Sequence, residues 1–158
     1  MGRGFTYAEQ QLKPDPRYGD KTLARFINCV MKDGKKTRAQ RVVYDALDQI
    51  EAKTKGEPTG IEVFLQAVDN VKPNVEVRSK RVGGANYQVP MQVNKKRQQS
   101  LAFRWIIQAA RSGKGKPMAD YLCQELSDAY HGEGKAMNTR DQTHRMAEAN
   151  KAFAHFAW

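Results

Sequence analysis

The side chains with chemistry to offer in this chain are cations, and they come in groups. Lys35, Lys36, Arg38 and Arg41 lie close together, Lys95, Lys96 and Arg97 are consecutive, and Arg97, Arg104 and Arg111 recur every seven residues. Arg78, Lys80 and Arg81 form a further group, Lys114 and Lys116 flank Gly115, and Arg3, Lys13 and Arg17 lie towards the start. Ammonium and guanidinium groups arranged like this bind phosphate oxygens singly or track a phosphate backbone. Lys and Arg number 27 against 17 Asp and Glu, a formal charge of +10. An excess of that size repels itself in a compact fold, which points to a polyanionic partner. Because the charges cluster, solubility alone is the weaker reading.

Other chemistries find less support. Gly34-Lys35-Lys36-Thr37 is similar to the end of a phosphate-binding loop. Such a loop also needs a glycine where Cys29 stands, a preceding strand, and Ser or Thr directly after the lysine. Gly113-x-Gly115 lacks the rest of a dinucleotide fingerprint. His131, His144 and His155 have no zinc spacing; His144 and Glu148 share a helix face, but two ligands do not make a site. His144 reads as a surface or RNA-facing residue. No Ser, His and carboxylate combination stands out as a triad. The expectation is therefore a protein that is not an enzyme, with no metal, no cofactor and no small-molecule substrate.

Cys29 and Cys123 are far apart and show no Cys-x-x-Cys pairing, so each reads as a small core residue. No apolar run approaches the roughly 20 residues that span a bilayer, and the start lacks the apolar stretch of a secretory signal. These features predict a cytoplasmic, reduced protein with no membrane partner.

The elements that must position the cations follow from periodicity. Val75, Val77 and Ser79 alternate with Glu76, Arg78 and Lys80, the period of a strand with its apolar residues on one face. Gly83-Gly84 supplies a turn, and Asn86-Tyr87-Gln88-Val89 a second strand, with Pro90 at the far end. This is a β-hairpin at about 74–90 whose polar rim carries Arg78, Lys80 and Arg81. A two-stranded ribbon is marginal alone, so the rest of the chain must support it.

Helical patterns supply the scaffold. Asp20 is an N-cap for a first helix with Leu23, Phe26, Ile27, Val30 and Met31 inward, which Gly34 stops. A second starts near Lys35 with Ala39, Val43, Leu47 and Ile50 on its apolar stripe. Its cationic first turn has the wrong sign for a helix N-terminus, a local cost that a phosphate backbone would explain. Thr59 and Glu62 form a capping box for a third helix. A fourth runs from about Gln92 to Arg111 with its arginines along one strip. Pro117 opens a fifth, and a sixth spans roughly Ala136 to Asn150 with Met146, Ala149 and Phe153 in phase. The reading is a mainly α fold, a six-helix domain with an inserted protruding β-hairpin between helices three and four. It has an extended arm over 1–19 and a single domain over 20–158. The arm reads equally as an RNA-contacting tail or an ordinary frayed terminus.

Several separate basic elements suit a large folded RNA better than one DNA duplex. The alternative is an architectural DNA-binding protein. Its ribbon would carry an apolar or proline wedge, whereas Gly83-Gly84 forms the tip here.

Pro14 to Gly19, Asn28 to Lys36 and Val75 to Pro90 resemble ribosomal protein seven of the small subunit, of the bacterial and organellar type. Arg104-Trp105-Ile106, Glu125 to Ala129 and His144 to His155 are similar as well, so the resemblance runs in order from about residue 14 to the end. It implies a helical domain with a protruding ribbon and a place on a cytoplasmic or organellar ribosome. It also implies binding to the 3′ major domain of small-subunit rRNA and nucleation of head assembly, beside neighbouring ribosomal proteins. In the family the ribbon and the last helix lie near exit-site tRNA and the mRNA path, and some members repress translation of their own operon. Carried over, the ribbon residues are Arg78, Lys80, Arg81, Gly83, Gly84, Asn86 and Tyr87, with Arg145 on the last helix. The rRNA-facing set is Arg3, Lys13, Arg17, Lys35, Lys36, Arg38, Arg41, Lys95, Lys96, Arg97, Arg104, Arg111, Lys114 and Lys116. The run Gly4 to Gln11, with Glu9 in it, departs from the family's more basic arm.

Overall fold

A computed structural model describes residues 11–157. Helix α1 (Lys21–Val30) starts where the Asp20 carboxylate accepts the Leu23 N–H at 2.7 Å. It ends at Val30, short of the expected stop at Gly34. Met31 is already extended, and Asp33 (φ 53°) and Gly34 (φ 71°) then turn the chain. Two successive left-handed residues cannot continue a right-handed helix, so the glycine shapes the turn after the end.

Helix α2 (Lys36–Thr54) buries Ala39, Val43, Ala46, Leu47 and Ile50, and no side chain caps its N-terminus. Helix α3 (Gly60–Val71) carries the reciprocal Thr59–Glu62 capping box. Gly60 sits so close to α2 that a Cβ there would lie 2.7 Å from the Leu47 carbonyl oxygen. Phe26, Phe64 and Phe103 meet at the centre of the core, with ring centroids of Phe26 5.1 and 5.2 Å from the other two. Edge-to-face and tilted contacts of this kind add to the area they bury.

Between α3 and α4 the chain forms an antiparallel ribbon, β1 (Val75–Val82) and β2 (Ala85–Gln92), in the register Val75↔Gln92 to Val82↔Ala85. Pro90 pairs with Val77 inside β2 rather than closing the ribbon. A two-stranded ribbon leaves each strand with an outer edge, where a missing N–H costs nothing. Because β2 runs on to Gln92, helix α4 (Lys95–Arg111) starts three residues later than expected, at an Asn94 cap. Helix α5 (Met118–Tyr130) has Pro117 at its cap position, one residue before the first turn. Helix α6 (Lys135–Ala149) leads into a 3-10 segment (Lys151–Phe156).

The six helices and the ribbon between α3 and α4 match the sequence pattern. Three details do not. Helix α6 buries Ala136, Met137 and Ala147, while Met146 is 51% exposed, because α6 rests on the body by its first turn and its neighbours leave the later turns open. Cys123 is buried but Cys29 is exposed, since it faces the side of α1 away from the core. Pro14 to Gly19 is folded rather than extended. Asp15 is buried, accepts the N–H groups of Arg17 and Tyr18, and takes the Tyr44 hydroxyl at 2.6 Å. Burial and that bond to a carboxylate push the Tyr44 phenol up to about 12.

Candidate nucleic-acid interface

The α1–α2 turn and the exposed side of α4 carry the cations that the fold leaves available. Lys35, Lys36, Arg38 and Arg41 are all exposed on the first turns of α2. No acid offsets them there, so phosphate is the natural counter-charge for cations stacked on a positive helix end. Arg111, at the far end of α4, donates to the Val30 carbonyl at 3.0 Å. That bond draws α4 against the turn, and one groove is lined by Lys32, Lys35, Arg38 and Arg111 together.

From Arg111 the groove continues along α4 past Arg104, which is exposed and has no partner among the described residues, to Arg25 and Lys96. In the other direction a cleft joins Lys13 to Lys36. The structure thus places Lys13, Lys35, Lys36, Arg38, Arg111, Arg104 and Lys96 along one cationic path. Lys114 and Lys116 are exposed on the loop after α4; Lys95 is exposed at its start. The hydroxyl of Tyr121 donates to the Lys114 carbonyl, and a Cβ at Gly113 would lie 2.4 Å from the Tyr121 ring, so the loop is held to α5. These grooves are open troughs suited to a polymer.

Sequence reasoning missed Arg25 and Lys32. Lys32 had a signal, since it extends the Lys35-Lys36 run across the turn. Arg25 had none: it sits within an apolar helical pattern, and only the packing of α1 on α4 brings it to the groove.

Other cations serve the fold. Arg17 forms a two-pronged ion pair with Asp48 and lies over the rings of Tyr18 and Tyr44 at 5.1 and 5.3 Å. That bond to Asp48 raises its pKa further. Arg78 and Arg97 converge on Glu76, at 2.6 and 3.2 Å. Glu76 is the buried polar residue of β1, where the alternation predicts Val77 to turn inward. A carboxylate is tolerated there because two guanidinium groups neutralise it. Arg3 lies outside the described residues.

The ribbon is braced, not bare. Tyr87 packs on Phe153 and Phe156, each at 5.1 Å, and the Lys80 ammonium donates to the Phe156 carbonyl at 2.7 Å. The expected polar rim is therefore divided, because register places Arg78 and Lys80 with Val89 and Tyr87 on the face that meets α6 and the 3-10 segment. Arg81, Gly83, Gly84 and Asn86 remain exposed at the tip, and Arg145 is exposed on α6. His144, expected to face outward or to RNA, instead accepts the Asn74 N–H through Nε2 at 3.1 Å. Burial and the Arg140 charge shift its pKa down, only partly opposed by Asp141.

Among the described residues no three of His, Cys, Asp and Glu gather as metal ligands, and no helix is long and apolar enough to cross a membrane. The profile of the family described as ribosomal protein S7p/S5e matches residues 3–151. A relative from Rhodopirellula baltica, named small ribosomal subunit protein uS7, is 61% identical over 158 residues, 100% of both chains. Relatives of the same name from Thermotoga maritima and Mesorhizobium japonicum are 55% identical over 95% of this chain and 96% of theirs, and 52% identical over 100% of both. A cationic face built on six helices, a braced ribbon and identity sustained along nearly the whole length agree: the chain belongs to the ribosomal protein S7p/S5e family.

Proposed function

We propose that this protein is a structural, non-catalytic constituent of the small ribosomal subunit. Its path of cations from Lys13 through the α1–α2 turn and along α4 binds the 3′ major (head) domain of small-subunit rRNA and orders it during assembly. The observation that carries this reading is the convergence of Lys35, Arg38 and Arg111 on one groove, within a chain whose relatives are named small ribosomal subunit proteins. The ribbon tip, with Arg81, Gly83, Gly84 and Asn86, and the exposed Arg145 serve the passage of exit-site tRNA and mRNA. A tip without bulky side chains enters a crowded RNA channel more readily than it grips one surface.

Co-sedimentation tests the proposal. The protein should stay with small subunits through a moderate-salt wash, and recovery only from ribosome-free fractions of growing cells would refute it. Binding to a head-domain rRNA fragment should weaken with a log–log salt slope of roughly −4 to −5 if about six phosphates are neutralised.

A further inference from the structure

We infer that the trough between α1 and α4 is a seat for an unpaired rRNA nucleotide, its base lowered between the helices and its phosphates held by the flanking cations. This rests on the reading of the protein as an rRNA binder and adds a specific mode of contact to it.

Two adjoining grooves share Cys29, Ser100 and Phe103, so they form one continuous trough. Its lining combines apolar and hydrogen-bonding groups in the manner of a base site. Leu12, Cys29 and Phe103 present carbon and sulfur surface, which a phosphate backbone does not need and a base does. Asn28 stands on the wall with its carboxamide exposed and unpartnered among the described residues. Gln99 accepts from Arg25 at 3.2 Å through Oε1, which orients its NH2 group as a donor. An amide pair of this kind reads the edge of a base. Arg25 and Arg104 stand on the two parts of the lining, where a guanidinium plane can cover a base face while phosphates take the remaining charge.

Charge complementarity selects the occupant. A duplex would meet the cations but could not lower a base to Phe103, and an apolar peptide would leave Arg25, Lys96, Arg104 and Arg111 without counter-charge.

Cys29 gives a direct test, because it is exposed in the trough while Cys123 is buried. Alkylation of the full chain by a maleimide would be timed alone, with a head-domain rRNA fragment, and with an RNA duplex of equal length. The fragment should slow Cys29 alkylation at least about tenfold and the duplex should not. Filling the trough by Ser100→Trp should weaken fragment binding about tenfold, the loss of one stacked base, with the salt slope unchanged. Circular dichroism and the thermal midpoint confirm that this variant folds. Equal protection by duplex and fragment, or full fragment affinity in Ser100→Trp, overturns the nucleotide seat. So does a Cys29 that reacts only after residues 1–10 are deleted, since the chain's own start would then be the occupant. In each case fragment binding with its salt slope still stands for the broader rRNA reading, whereas absence of fragment binding would sink that reading itself.

Discussion

The imidazole Nε2 of His144, on α6, accepts the backbone N–H of Asn74 at 3.1 Å, across 70 positions of sequence. Asn74 is the residue before β1, so this bond fixes the base of the ribbon to the last helix. The bond needs a neutral ring, and the folded protein favours that form by lowering the pKa from its ordinary 6.5. The native state therefore binds fewer protons than the unfolded one as pH falls below that value. The stabilisation is present above about 6.5 and is lost as pH drops through the lower folded value. Amide exchange followed by NMR should show the Asn74 N–H losing protection over that window. His144→Gln, which keeps an acceptor but no titrating ring, should show a flatter profile.

Glu76 joins β1 to α4. Its two carboxylate oxygens take Arg78 and Arg97, so Glu76→Ala removes the charge that holds both while leaving two partly exposed cations at the ribbon's base. Because the guanidinium groups keep contact with water, the loss should be about 2 kcal/mol, in the range of hydrogen bonds to charged groups. Denaturant unfolding would measure it. A double-mutant cycle with Arg97→Ala should give a coupling of about 0.5 kcal/mol or more.

Gly60 marks the closest approach of α3 to α2. Gly60→Ala would press a methyl group against the Leu47 carbonyl oxygen, an atom fixed by its own helix. The helices must part to admit it, at about 1–3 kcal/mol. The thermal midpoint should fall by about 2–4 °C per kcal/mol.

Arg104 and Arg111 lie on the same strip of α4 but should behave differently. Arg104→Ala should leave stability within about 0.5 kcal/mol and flatten the salt slope of rRNA binding by about 0.7–0.9, one phosphate's worth. Arg111→Ala should also cost about 1 kcal/mol of stability, because its guanidinium satisfies the Val30 carbonyl at the end of α1.

Tyr87, Phe153 and Phe156 brace the ribbon from the side. Phe156→Ala should raise amide exchange along β2 while leaving helical content unchanged. Deleting Val82 to Ala85 should leave rRNA binding largely intact and disturb tRNA or mRNA handling in a translation assay. Failure of head assembly with that deletion would show that the ribbon also anchors the domain.

Much of the scaffold was legible because its signals are local. Asp20, Thr59 and Glu62 announce helix starts through bonds that reach only three residues, and the α1 to α4 stripes record which face is buried. The ribbon was legible from alternation around Gly83-Gly84, but its inward face was not. Alternation says that two faces differ, and the choice of Glu76 over Val77 depended on Arg97 arriving from α4. Met146 looked internal from phase alone, yet phase cannot tell whether a neighbour is present to cover the stripe.

The sequence by itself determined the helical class, the inserted ribbon, the capping sites and a cationic surplus that requires a polyanion, since each depends on residue type and short spacing. Only the tertiary structure decided which cations remain available. Arg17, Arg78 and Arg97 carry the same charge as Arg104, yet Asp48 and Glu76 claim them through contacts 31, 2 and 21 residues apart. A guanidinium group goes to whichever anion packing brings within reach, and the packing is a property of the whole fold.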